Sequence, residues 1–163
     1  MKLFMLSLVA TALAGCATQK VKVDVPFDEK QAAALMQPGV NTIKGSALIR
    51  QRGGTVVTCA GSDVGLIPAT AYARKRMEII YGSGTFAPVV PTFDYTPPAY
   101  QQHVRKSTCN AQGFFTFDRV ADGEFFVATS VQWEAGYTMQ GGALMQRVSV
   151  SGGELKEIVL TAN

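Results

Sequence analysis

Between Gly113 and Trp133 the chain alternates apolar and polar residues with a period of two, and no other feature limits its fold as tightly. Gly113-Phe114-Phe115-Thr116-Phe117 leads to a turn at Asp122-Gly123, and Glu124 to Trp133 follows. In the second run Phe125, Val127, Val131 and Trp133 share one face, with Thr129 between them. Successive side chains of a strand point to opposite faces, so this spacing describes strands that bury one face each. On a helix the same residues would be scattered around the cylinder. Phe115, Phe117, Phe125 and Val127 are therefore expected in the core.

The rest of the chain uses the same vocabulary. Asn41 to Gln51 reads as a strand before Gly53-Gly54, and Thr55–Cys59 and Asp63–Ile67 read as strands around Gly61. Arg147 to Val150 alternates, and Gly152-Gly153 reads as a hairpin turn into Leu155–Leu160. Short strands punctuated by turns predict a mainly β protein, an antiparallel β-sandwich. One helix interrupts it, over about 70–81. Thr70 is its expected N-cap, Ala73, Met77, Ile80 and Tyr81 fall on one helical face, and Gly82 ends it. Arg74-Lys75-Arg76 reads as a solvated helix face rather than a lipid-headgroup site. Residues 82–108 form the least regular stretch. Pro88, Pro91, Pro97 and Pro98 are mixed there with Phe86, Phe93, Tyr95 and Tyr100, and a loop of this length is either functional or held by packing.

With 163 residues there is material for about one domain, and 47% hydrophobic residues exclude a disordered chain. A net charge of +3 is too weak to predict a nucleic-acid partner.

The N-terminus carries a different message. Lys2 precedes an apolar run from Leu3 to Ala14. A membrane-spanning helix needs about 20 residues, so this run reads as the core of a secretory signal. It ends in Leu13-Ala14-Gly15-Cys16, which resembles the lipobox of bacterial lipoproteins. The resemblance implies removal of residues 1–15, a diacylglyceryl group on the Cys16 thiol and a further acyl chain on its freed amine. More than one acyl chain gives stable anchoring, since each buried methylene contributes roughly 0.8 kcal/mol. Ala17 is not the Asp that retains such proteins in the inner membrane. In a Gram-negative source, the resemblance implies the periplasmic face of the outer membrane. Residues 16–40 then form a tether with a short helix that Asp28 caps and Pro38-Gly39 stops, and residues 41–163 form the sandwich domain.

With Cys16 lipidated, Cys59 and Cys109 remain. Two thiols in an oxidising compartment are expected to pair. The alternatives are a reactive cysteine or a metal ligand, which no CxxC and no Cys-His cluster supports.

The stretch from Asn110 to Val127 resembles the carboxypeptidase regulatory-like (transthyretin-like) domains, with Gly113, Phe115, Phe117, Gly123, Phe125 and Val127 at the signature positions. Ile43-Lys44-Gly45-Ser46-Ala47 and Val64-Gly65-Leu66-Ile67-Pro68 resemble earlier strands of such domains. The resemblance implies a transthyretin-like or Ig-like sandwich over 41–163 and no active site.

Candidate chemistry is thin. A serine hydrolase would need His103, the single histidine, which has no Gly-x-Ser-x-Gly elbow to serve. Asp118 and Asp122-Gly123 lack the alternating acids of a calcium loop, and Gly82-Ser83-Gly84 lacks the lysine of a phosphate loop. No catalytic residue, metal or cofactor is expected. Phe93, Tyr95 and Tyr100 are the binding candidates: rigid rings either stack on a ligand or pack their own loop. The expected function is a non-catalytic structural or protein-binding module of the cell envelope. The alternative is a carbohydrate- or peptidoglycan-binding module using loop 82–108, with a hydrolase third.

Overall fold

The computed structural model describes residues 20–162. The signal segment and Cys16 lie outside them. Two sheets face each other. β1 (Asn41–Arg50) organises one of them. It pairs antiparallel with β6 (Phe114–Val120) through 41–46 and with β2 (Val56–Thr58) through 48–50, so these two share an edge. On its other edge β1 pairs parallel with β9 (Leu155–Thr161). The second sheet runs β4-β8-β7-β3-β5, all antiparallel. Its members are β3 (Asp63–Pro68), β4 (Phe86–Ala87), β5 (Arg105–Thr108), β7 (Gly123–Ala135) and β8 (Thr138–Val150). The fold is a mainly antiparallel β-sandwich.

The alternation at Gly113–Trp133 builds its core. Phe115 and Phe117 on β6 face Phe125, Val127 and Val131 on β7, all buried, with Ile43, Leu66, Leu144 and Leu160 filling the layer. The Phe115 ring lies over Gly45 of β1, where a Cβ would sit 2.6 Å from it. Each fully buried Phe or Leu contributes roughly 1.5–3 kcal/mol. Cys59, just after β2, and Cys109, just after β5, form a disulfide with 5.8 Å between their Cα atoms, tying one sheet to the other.

Both turns read as local are crossovers. Asp122-Gly123 carries the chain from β6 in one sheet to β7 in the other. Gly152-Gly153 is not a hairpin turn, because β8 and β9 belong to different sheets. One buried amide holds both crossovers. Asn41 donates through Nδ2 to Val120 O at 3.0 Å and Asp122 Oδ1 at 2.8 Å. Its Oδ1 accepts from Gly153 N at 2.8 Å and Glu154 N at 3.0 Å. Every donor and acceptor of the amide is used. Asn41→Ala strands these partners, and about 1–3 kcal/mol of stability is expected to go, read as a lower melting temperature.

A second apolar layer covers the outer face of the β7–β3 sheet. α2 (Ala71–Tyr81) starts as expected, with Thr70 Oγ1 accepting from Ala73 N at 3.2 Å. Its Tyr72, Ala73 and Met77 pack with Ile67 and Phe126, so β7 is buried on both faces near Phe126. Arg74 and Lys75 are on the helix's solvated side as expected, whereas Arg76 is turned onto the loop. Arg74 and Arg147 of β8 both pair with Glu124, whose carboxyl is held below the usual range chiefly by the Arg147 hydrogen bond. Arg76 lies over Phe93.

Residues 82–108 are more regular than the sequence suggested. α3 (Pro98–Gln102) and β5 close them, and β5 extends the sheet from β3. The stretch read as a tether is, over its described part, laid against the sandwich. α1 (Glu29–Leu35) is capped by Asp28, which accepts from Gln31 N at 3.0 Å, and its Ala32 is fully buried. Among the described residues no helix is long and apolar enough to cross a membrane.

Candidate functional site

The three candidate rings of the loop separate in the structure. Tyr100 is 7% exposed and packs against Tyr72 and Phe27, with centroids 5.0 and 5.8 Å away. Burial pushes its phenol up to about 12. It is a core ring that α3 delivers to the second apolar layer, and its truncation belongs with the core substitutions rather than with binding. Phe93 is half-buried beneath the Arg76 guanidinium, 3.7 Å from its centroid, and serves to hold the loop. Tyr95 is 64% exposed.

The segment around Tyr95 is fixed on both sides. Arg76 Nη1 donates to Thr96 Oγ1 at 3.2 Å. The chain at Val21 bridges in parallel to Phe93, with Val21 N donating to Thr92 O at 2.9 Å and Asp94 N to Val21 O at 3.1 Å. Asp94 Oδ1 accepts from Tyr95 N at 2.7 Å. Tyr95 thus stands on an anchored loop, which lowers the entropy a ligand would have to remove.

Beside it runs a cleft of about 490 Å³ between the 22–27 segment and the 94–97 loop. Lys22, Asp24, Phe27, Tyr72, Asp94, Tyr95 and Pro97 are among its lining. Tyr72 is 3% exposed and its hydroxyl has no hydrogen-bond partner. Leaving such a group unpaired costs about 1–3 kcal/mol. An exposed aromatic ring, two carboxylates and an ammonium meet here, with the buried Tyr72 behind them, a set that can cover an apolar ring face and exchange hydrogen bonds around it.

Sequence reasoning found Tyr95 but missed the opposite wall and Tyr72. The signal was present: Val21, Val23, Val25 and Phe27 alternate with Lys22, Asp24 and Pro26, the period of a half-buried extended segment.

A second groove of about 460 Å³ lies on the uncovered face of the β1 sheet, around Ser46, with Phe114 and Val159 on either side and Lys44, Thr116 and Glu157 along it. His103 lies away from any nucleophile pairing: its Nδ1 sits 2.7 Å from Ala99 O at the end of α3. Among the described residues no three His, Cys, Asp or Glu side chains gather into a set that could hold a metal.

Sandwich and cleft together define a β-sandwich domain that carries a preformed, aromatic-edged surface cleft. The crystal structure of a candidate carbohydrate-binding protein of Pseudomonas aeruginosa resembles it, with a TM-score of 0.70 and 26% identity over 85% of this chain and 99% of that one. Chlorocatechol 1,2-dioxygenase of Pseudomonas putida aligns at 10% identity over 94% of this chain and 69% of its own, but its TM-score of 0.31 carries no argument. No family model and no curated protein matches the chain.

Proposed function

We propose that this chain is a non-catalytic glycan-binding module of the cell envelope, with the cleft beside Tyr95 as its site. The observation that carries the reading is the likeness, along 99% of the neighbour's length, to a candidate carbohydrate-binding protein. The cleft's chemistry agrees with it. A sugar offers an apolar ring face to Tyr95 and hydroxyl groups to Asp24, Asp94 and Lys22. This reading ranks ahead of the protein-partner role expected from sequence because it has both a neighbour and a built cleft. The signature from Gly113 to Val127 supports a place among the carboxypeptidase regulatory-like domains. The lipobox supports a lipid anchor on Cys16 and residence at the periplasmic face of the outer membrane.

The test is binding of the full chain to insoluble peptidoglycan and to immobilised polysaccharides. Tyr95→Ala is expected to weaken binding about tenfold, the loss of one stacking contact, with an unchanged melting temperature. Failure to bind any of these glycans, or binding indifferent to Tyr95, overturns the proposal. The anchor is tested separately. Cys16→Ser is expected to abolish palmitate labelling and release the protein from the membrane fraction or block its processing. A variant still processed after Gly15 and still labelled would refute it.

A further inference from the structure

The β7–β8 hairpin outgrows its sheet. Its ladder runs unbroken to Ala135↔Thr138 around a turn at Gly136-Tyr137, with Gly136 at φ 65°. The pairing of β7 with β3 stops at Thr129, and among the described residues no strand lies beside β7 beyond that point. Backbone direction follows from two bonds. Met145 N donates away from β7, to Thr85 O, and Glu124 O accepts from Ala69 N on the β3 side. Antiparallel ladders alternate, so even-numbered residues of β7 turn their N–H and C=O away from β8. Gln132 and Glu134 therefore hold open hydrogen-bonding groups on a free edge, and both are exposed.

Strand edges are normally protected by lysine, proline or a bulge. From Ala128 to Gly142 there is neither Lys nor Pro, Glu134 is the single charge, and the register has no bulge. We propose that this edge pairs antiparallel with the same edge of a second copy, about a two-fold axis at Trp133. In that register Gln132 and Glu134 of each copy exchange main-chain hydrogen bonds with Glu134 and Gln132 of the other. Each carboxylate faces a side-chain amide, never its own kind. The open stretch and the pairing both run from Val131 to Ala135, and the partner's turn abuts β3, whose first residue, Asp63, lies beside Ser130. Shifting the axis to Gln132 would drive the partner strand into β3. The two Trp133 rings, each half-buried at the fringe of its own core, become a cross-strand pair at a non-hydrogen-bonded site, where side chains approach most closely.

Trp133 is the single tryptophan of the chain, so coupled indoles report contact between copies. The full chain in mild detergent is expected to show an indole exciton couplet in circular dichroism that fades on dilution, together with a dimer by sedimentation. Gln132→Glu sets like charges opposite each other twice and should weaken the dimer at least about fivefold. Gln132→Lys should tighten it. Both changes are at an exposed position, and melting curves verify that the variants fold. As a second measurement, Gln132→Pro removes an outward N–H that the β7–β8 ladder does not use, and should abolish the couplet. A chain that stays monomeric, or a dimer indifferent to residue 132, overturns the proposal.

Discussion

Truncating Phe125 to alanine is expected to cost about 3–5 kcal/mol. Its ring is 0% exposed and sits on the inner face of β7, at the centre of the layer between the sheets. The loss has two parts: the transfer energy of the ring and the cavity left among neighbours that cannot collapse fully. A domain's entire stability is about 5–15 kcal/mol, so this variant should be near the threshold of folding at growth temperature. Denaturant melts of Phe125→Ala beside Phe114→Ala make the comparison. Phe114 is on the opposite face of the β1 sheet, 56% exposed, and its truncation should be nearly neutral. Equal losses at the two positions would contradict the assignment of inner and outer faces.

Removing the disulfide ranks with it. Cys59 and Cys109 are separated by 50 residues, and closing a loop of that size stabilises by about 4 kcal/mol in the chain-entropy model. The double substitution to alanine is expected to lower the melting temperature by roughly 8–16 °C. Reduction of the wild-type chain should reproduce most of that shift and leave the double variant unmoved. A reductant that changes both proteins alike would mean the bond is not the source of the difference.

The strands that the sequence announces are those with one wet face. On β6 and the outer end of β7 the period of two survives because water selects one side and the core the other; around Phe126, where β7 is covered on both faces, Phe125 and Val127 were placed by the alternation on either side of that stretch. α2 was legible for the same reason, through Thr70 and the face of Ala73 and Met77. β8 was half hidden. Its first part, Thr138 to Met145, holds adjacent glycines and little β-branched character, because a hairpin arm held mainly by its partner needs no strong propensity of its own. Which sheet a strand joins was not legible either. Asp122-Gly123 and Gly152-Gly153 have ordinary turn chemistry, and that chemistry describes how the backbone bends rather than where it arrives. What distinguishes the crossovers is Asn41, at least 79 residues away from its partners in sequence. The cleft was legible only on one side. Tyr95 stood out in a Pro-rich loop, whereas Tyr72 sits in a regular helix and becomes a cleft residue through the chain laid across it.

The pairing of β1 with β9 fixes a timetable. A polypeptide emerges from a ribosome or a translocation pore with its N-terminal end leading, and β1 is the first strand out. Its lasting neighbour on one side, Leu155–Thr161, comes out more than a hundred residues later. Non-local contacts of this kind repay their loop-closure entropy late. Until then β1 can hold β2 and β6 but not complete its sheet, and the core residues Ile158 and Leu160 are missing from the layer. Assembly therefore waits for the end of the strand order rather than proceeding alongside synthesis, and a nascent chain stopped before Leu155 offers β1 to whatever lies nearby.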